Sequence, residues 1–101
     1  MTGGEAVVAG LRQANVTTLF GIPGVHNGGL YDALLDANDI RLVVTRHEQG
    51  AAFMADGYAR AAKRAGICMS QSVGAFNLAA GLQDAYLASS PVIAITGRRP
   101  Q

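Results

Sequence analysis

The sequence predicts an α/β fold, a parallel sheet with helices on both faces. Three observations carry this. Apolar residues recur at helical spacing in four segments, separated by four short β-rich runs, so the order reads α-β-α-β-α-β-α-β. The runs are near-continuous apolar stretches, the pattern of strands covered on both faces. The connections are short, and strands alternating with helices imply βαβ units with right-handed crossovers.

The first helix is expected over residues 4–14, where Val7, Val8 and Leu11 form an apolar stripe. Thr2 is its N-cap, with Glu5 three residues later as in a capping box. Residues 17–22 (TTLFGI) form a short strand, broken by Pro23-Gly24. A second helix spans 28–37, with Leu30, Ala33, Leu34 and Ala37 on one face, followed by a strand at 40–45 (IRLVVT). The segment 48–64 carries the strongest helical pattern, through Ala51, Ala55, Tyr58, Ala59 and Ala62. A strand at 66–70 (GICMS) leads to a fourth helix over 75–88, carrying Leu78, Leu82, Ala85 and Tyr86. Pro91 opens the last strand, 92–96, which Gly97 closes.

A parallel sheet gathers the C-terminal ends of its strands at one edge, where such sheets bind ligands. Four segments fall there: Pro23–His26, Arg46–Glu48, Gln71–Gly74 and Gly97–Arg99. The glycine-rich stretch 21–29 reads either as a phosphate loop at a helix N-terminus or as a tight strand-to-helix turn. It lacks the Gly-Lys-Ser/Thr ending of a P-loop, and Pro23 breaks the G-x-G-x-x-G fingerprint of a dinucleotide site. Glu48 also has two readings on its residues alone. It is a first-turn carboxylate favoured by the helix dipole, or a partly desolvated carboxyl at the ligand edge. His47 reads as a packing or hydrogen-bonding residue, and His26 and His47 together lack the spacing of a zinc site. The segment 72–77 leads into the fourth helix, either as an ordinary capped start or with backbone N–H groups offered to a ligand. Ser70 and Ser72 have no acid–base partner nearby in sequence, and G-x-S-x-G is absent, so no nucleophilic triad is expected.

Composition narrows the function classes. A chain of 101 residues fits one small domain. Eight Lys and Arg against seven Asp and Glu remove the electrostatic case for nucleic acid or a polybasic membrane patch. Charged residues are 15%, against about 25% in an average soluble domain, so much of the surface is expected to face other protein. The single cysteine, Cys68, excludes an internal disulfide. Residues 1–5 have neither the basic nor the apolar region of a signal peptide, and no apolar stretch is long enough to span a bilayer, so a cytoplasmic location is expected.

Three segments, taken together and in order, resemble a known family: Phe20-Gly-Ile-Pro-Gly24, Thr45-Arg-His-Glu-Gln-Gly-Ala-Ala-Phe-Met-Ala-Asp-Gly-Tyr-Ala-Arg60 and Pro91-Val-Ile-Ala-Ile-Thr-Gly97. The chain is similar to thiamine-diphosphate-dependent enzymes of the acetolactate synthase, pyruvate oxidase and benzoylformate decarboxylase group. The middle segment is the specific one. The resemblance implies that residues 1–101 are an incomplete N-terminal, pyrimidine-binding domain, truncated on its C-terminal side. It implies thiamine diphosphate as cofactor and a 2-oxo acid as substrate, with C–C cleavage or ligation as the reaction. Glu48 then becomes the catalytic residue, bonded to N1′ of the aminopyrimidine and favouring the imino form that takes the thiazolium C2 proton. The resemblance places Pro23, Gly24, Val25, Val73 and Asn77 with Glu48 at the cofactor, and Val25, His26 and Phe76 at the substrate.

The same resemblance implies an active site between two identical chains. The helix from Glu48 would pack on the second subunit through Gly50, Ala51, Ala52, Ala55 and Gly57. Mg²⁺ and the diphosphate belong to a C-terminal domain with a Gly-Asp-Gly…Asn motif, absent here, so no metal ligand is assigned to this chain. The chain departs from the family's Ser-Gly-Pro-Gly-Ala-Thr-Asn pattern at 71–77, where Val73 stands for proline and Phe76 for threonine, and at Arg98, where glutamine is usual. Two functions follow as expectations: the cofactor-activating part of an enzyme whose isolated 101 residues are inactive, or a non-catalytic assembly module or split subunit.

Overall fold

A computed structural model describes residues 1–99; the last two positions of the 1–101 domain lie outside the described residues. The elements are α1 (Gly3–Gln13), β1 (Thr18–Gly21), a 3₁₀ turn (Val25–Asn27), α2 (Gly28–Leu35), β2 (Arg41–Val44), α3 (Glu48–Ala62), β3 (Gly66–Ser70), α4 (Ser72–Leu87) and β4 (Val92–Thr96). All eight expected helices and strands are present in the expected order. α1 starts on its capping box: the Glu5 N–H donates to Thr2 Oγ1 and the Thr2 N–H to Glu5 Oε2. α3 stops at Ala62 because Lys63 turns left-handed, at φ 58°. α4 starts three residues before its expected first residue, since Gly74 and Ser72 accept helical geometry and the Ala75 N–H already closes on the Gln71 carbonyl.

The strands form one parallel sheet in the order β2-β1-β3-β4. The chain first steps outward from β1 to β2 through α2, then returns over β1 to β3 through α3 and on to β4 through α4. Right-handed crossovers in opposite directions put their helices on opposite faces. One layer therefore holds α1 and α2, whose Val8, Leu11, Leu30 and Leu34 pack on Leu19, Ile67 and Met69. The other holds α3 and α4, whose Ala51, Ala52, Ala55 and Leu78 pack on Phe20 and Cys68. Alternate residues of β1 and β3 thus feed the two cores, as the period of two requires.

Coverage on both faces holds for the central strands and fails at the margins. β3 is buried throughout, while Val44 of β2 and Ile93 of β4 are more than half exposed. Ile93 pairs in register with buried Ile67 and so points to the α1/α2 side, but neither helix reaches over it. Three positions expected on apolar helix faces are also exposed, Val7 of α1 among them, where Val8 and Leu11 alone are buried. The buried line of α4 runs through Gly74, Leu78, Gly81 and Ala85, which leaves Tyr86 beyond its edge; Ala62 lies in the last, uncovered turn of α3.

Asp56 is the one buried carboxylate among the described residues, and Arg60, one turn on, clamps it with two bonds of 2.9 Å. That bidentate contact holds the Asp56 carboxyl below the usual carboxylate range. A depressed folded-state pKa contributes stability that is present above the unfolded value and lost as pH falls through the folded one. Asp56→Asn is therefore expected to lower the urea midpoint at neutral pH, with the gap to the parent closing below about pH 4. Parallel urea titrations at several pH values check this.

Cys68 lies in the α3/α4 core, and burial pushes its thiol up to about 11. Without thiolate or access, it is expected to resist an aromatic disulfide reagent in native buffer and to react once in denaturant. Absorbance of the released thiol reads this directly.

Candidate functional site

Connectivity reverses between β1 and β3, which makes a switch-point crevice outside their C-terminal ends. The segments expected at this edge do meet there. After β1 the chain turns at Pro23-Gly24, and the Gly24 N–H donates to Asn27 Oδ1 at 3.0 Å. After β2 the Thr45 hydroxyl donates to the His47 carbonyl, and His47 Nδ1 accepts the Gln49 N–H at 3.0 Å. His47 is thus the N-cap of α3, which places Glu48 at the first helical position. After β3, α4 begins at once, and the Gly97 N–H beyond β4 donates to the Ser70 carbonyl at 2.9 Å.

Glu48 reaches across from α3 to α4. Its Oε2 accepts the Asn77 amide at 3.1 Å, so two of the residues expected at the cofactor are in contact. The side chain lies flat over Gly74, where a Cβ would stand 2.7 Å from Oε1 and 2.9 Å from Cγ. Only glycine leaves room for the carboxylate on this turn. Glu48 is half-buried, and its carboxylate is held near the N-terminal turns of two helices, whose unpaired N–H groups favour negative charge.

Of the other expected residues, Pro23, Gly24 and Val25 lie on the β1 turn and His26 within the 3₁₀ turn. Val25, Val73 and Phe76 are exposed, at 89%, 70% and 82%. Phe76 is thus outside the core of the described residues. The glycine-rich loop is a turn rather than an open phosphate loop, because the Gly24 and Val25 N–H groups are taken by the side chains of Asn27 and Gln71. The small residues of α3 divide: Ala51, Ala52 and Ala55 are fully buried inside this chain, while the Cα positions of Gly50 and Gly57 face open space. The three alanines are therefore unavailable to a second subunit, being spent on the close approach of α3 to the sheet and α4.

Ser72 has a partner after all: its Oγ lies 3.0 Å from His26 Nδ1. No carboxylate bonds His26 among the described residues, so the pair is not part of a triad. Asn27 is not among the residues the sequence places at the site, and the segment Gln71–Gly74 is expected at the edge without the contacts that Gln71 and Ser72 make. Asn27 has a local signal, an Asn three residues after a Pro-Gly turn. The contacts of Gln71 and Ser72 join residues 46 apart and have none. Among the described residues no three His, Cys, Asp or Glu side chains gather to hold a metal ion, and no helix is long and apolar enough to cross a membrane.

Comparison with known proteins settles the family. Residues 1–101 match the model of the thiamine pyrophosphate enzyme, N-terminal TPP binding domain. The chain belongs to this family. The domain is 50% identical over 101 residues to the probable acetolactate synthase large subunit of Methanocaldococcus jannaschii, covering 99% of this chain and 17% of that protein. It is 50% identical over 99 residues to acetolactate synthase isozyme 2 large subunit of Escherichia coli, covering 97% and 18%. With the chloroplastic acetolactate synthase of Arabidopsis thaliana it shares 44% over 100 residues, covering 98% and 15%. The TPP binding domain here thus spans about a sixth of the length of these relatives.

Proposed function

We infer that residues 1–101 are the cofactor-activating part of a thiamine-diphosphate enzyme that cleaves or joins C–C bonds of small 2-oxo acids. The observation that carries this is the half-buried Glu48 carboxylate, held by Asn77 over the glycine floor of α4 at the switch point. These residues fit an aminopyrimidine: one carboxylate, fixed in place, open on one side, and free of any cation partner among the described residues. When bound, thiamine diphosphate supplies the electron sink for a 2-oxo acid. Glu48 shares a proton with the ring nitrogen N1′, which needs a group that both accepts and donates at one point. Asn77 keeps that carboxylate aimed. Pro23, Gly24, Val25 and Val73 bound the cofactor ring, and Val25, His26 and Phe76 face the substrate.

In this reading Mg²⁺ and the diphosphate are held by another domain, and 101 residues alone are inactive. The other side of the crevice belongs to a second copy of the protein. Exposed Phe53 and Met54 on α3 and Val73, Phe76 and Leu87 on α4 support such a partner surface. The same apolar face favours the second reading, an assembly module without chemistry of its own. Hydrogen exchange at thiazolium C2, measured in the whole protein with Glu48→Gln, separates the two. An exchange rate equal to the parent's would remove Glu48 from the chemistry and leave the module.

A further inference from the structure

The substrate-facing turn and the start of α4 are joined twice. Gln71, the N-cap residue of α4, does not cap its helix. Its side chain instead crosses to the β1 turn, where Oε1 accepts the Val25 N–H at 3.0 Å. Gly24 lies against the same side chain, and a Cβ there would collide with it. One residue on, the Ser72 hydroxyl meets His26 Nδ1 at 3.0 Å. Both bonds come from positions 71–72, where the chain reads Gln-Ser, and both end on residues 25–26.

We propose that Gln71 and Ser72 are specificity-positioning residues that clasp the turn Pro23–His26 onto α4, Ser72 fixing His26 as the Nε2–H tautomer so that its outer nitrogen donates to an acceptor oxygen of a 2-oxo acid. This rests on the reading of the crevice as a thiamine-diphosphate site. The Ser72 hydroxyl lies 3.0 Å from Nδ1, and in the proposed tautomer it donates its proton there. A neutral ring that accepts at Nδ1 carries its own proton at Nε2. His26 Nε2 has no partner within the described residues, and the nearby exposed positions Val25 and Val73 are apolar, which leaves this ring the polar contact of the turn. The clasp is separate from the Glu48–Asn77 contact, which joins α3 to α4 and does not involve the β1 turn.

The test uses the whole protein with Gln71→Ala, Ser72→Ala and Ser72→Thr. Without substrate, Gln71→Ala is expected to raise amide hydrogen exchange at Val25 about tenfold, the loss of one hydrogen bond. Ser72→Ala is expected to change the ¹⁵N shifts of the His26 ring from the Nε2–H pattern to a tautomer mixture, and Ser72→Thr to restore it. In kinetics on 2-oxo acids, Gln71→Ala and Ser72→Ala raise KM about tenfold with kcat changed less, and in Ser72→Ala, whose partner His26 faces the substrate, exchange at thiazolium C2 keeps the parent rate. Unchanged Val25 exchange and unchanged His26 shifts would overturn the clasp. A parallel fall of C2 exchange in Ser72→Ala would overturn the separation of the His26 contact from cofactor activation. A parent C2 exchange rate in Glu48→Gln would instead overturn the underlying reading, so the two failures are told apart.

Discussion

In the whole protein, Glu48→Gln is expected to slow hydrogen exchange at thiazolium C2 by about 10²- to 10⁴-fold, the span of a general acid–base contribution. Gln keeps the length of the side chain and can still accept the Asn77 amide through its carbonyl, so the ring is still held. What it cannot do is take and return a proton at the same point. The stability change is small by comparison. Glu48 is half-buried at the first position of α3, and removing its charge there costs about 0.3–1 kcal/mol of helix-dipole stabilisation. Proton exchange followed by NMR gives the first quantity and urea unfolding the second. A large loss of exchange with a nearly intact midpoint is the signature of chemistry rather than of folding.

Gly74→Ala is expected to separate the same two quantities in a different way. The three atoms nearest the new Cβ are Oε1, Cγ and Cδ of Glu48, at 2.7, 2.9 and 3.0 Å. A flexible side chain gives way before a helix does. Residue 74 lies inside α4, where Ala is favoured over Gly by roughly 0.5–1 kcal/mol, so the unfolding midpoint holds or rises slightly. The carboxylate, however, is pushed off its place and away from Asn77. A displacement on the order of 1 Å costs about 10²-fold in a positioned reaction, and C2 exchange is expected to fall by about that much. A variant that folds as well as the parent and exchanges C2 at the parent rate would mean that Glu48 works from elsewhere.

Much of the fold was legible because its signals are local. The capping box at Thr2 and Glu5, the alanine periodicity of α3 and the apolar runs of β1 and β3 each lie within one element. The start of α4 was misplaced because Gly74 reads locally as a loop residue, and its reason for being glycine is a side chain 26 positions earlier. The margins of the sheet read as buried because an apolar strand looks the same whether or not helices cover it; only the reach of α1 and α2 exposes Ile93. At the site, the family resemblance points to Glu48 and Asn77 separately, and nothing in either segment says that they touch. The alanines of α3 were assigned to a subunit contact because small residues signal close approach without naming the surface approached. Gln71 falls in a segment expected at the ligand edge, but nothing local tells that its side chain turns to a loop 46 positions away.

The reversal of strand order between β1 and β3 has a consequence for the order of folding. The β1–α2–β2 unit closes over short distances and can form early, as local contacts do. The contacts of the crevice join residues 29 and 46 apart; the first needs α4 docked on α3, and the other two need β3 and α4 docked beside β1. Their loop-closure entropy is recovered only at that docking step. The β1–α2–β2 unit alone carries no site, so the crevice depends on the pairing of β1 with β3, the pairing of greatest sequence separation in this sheet.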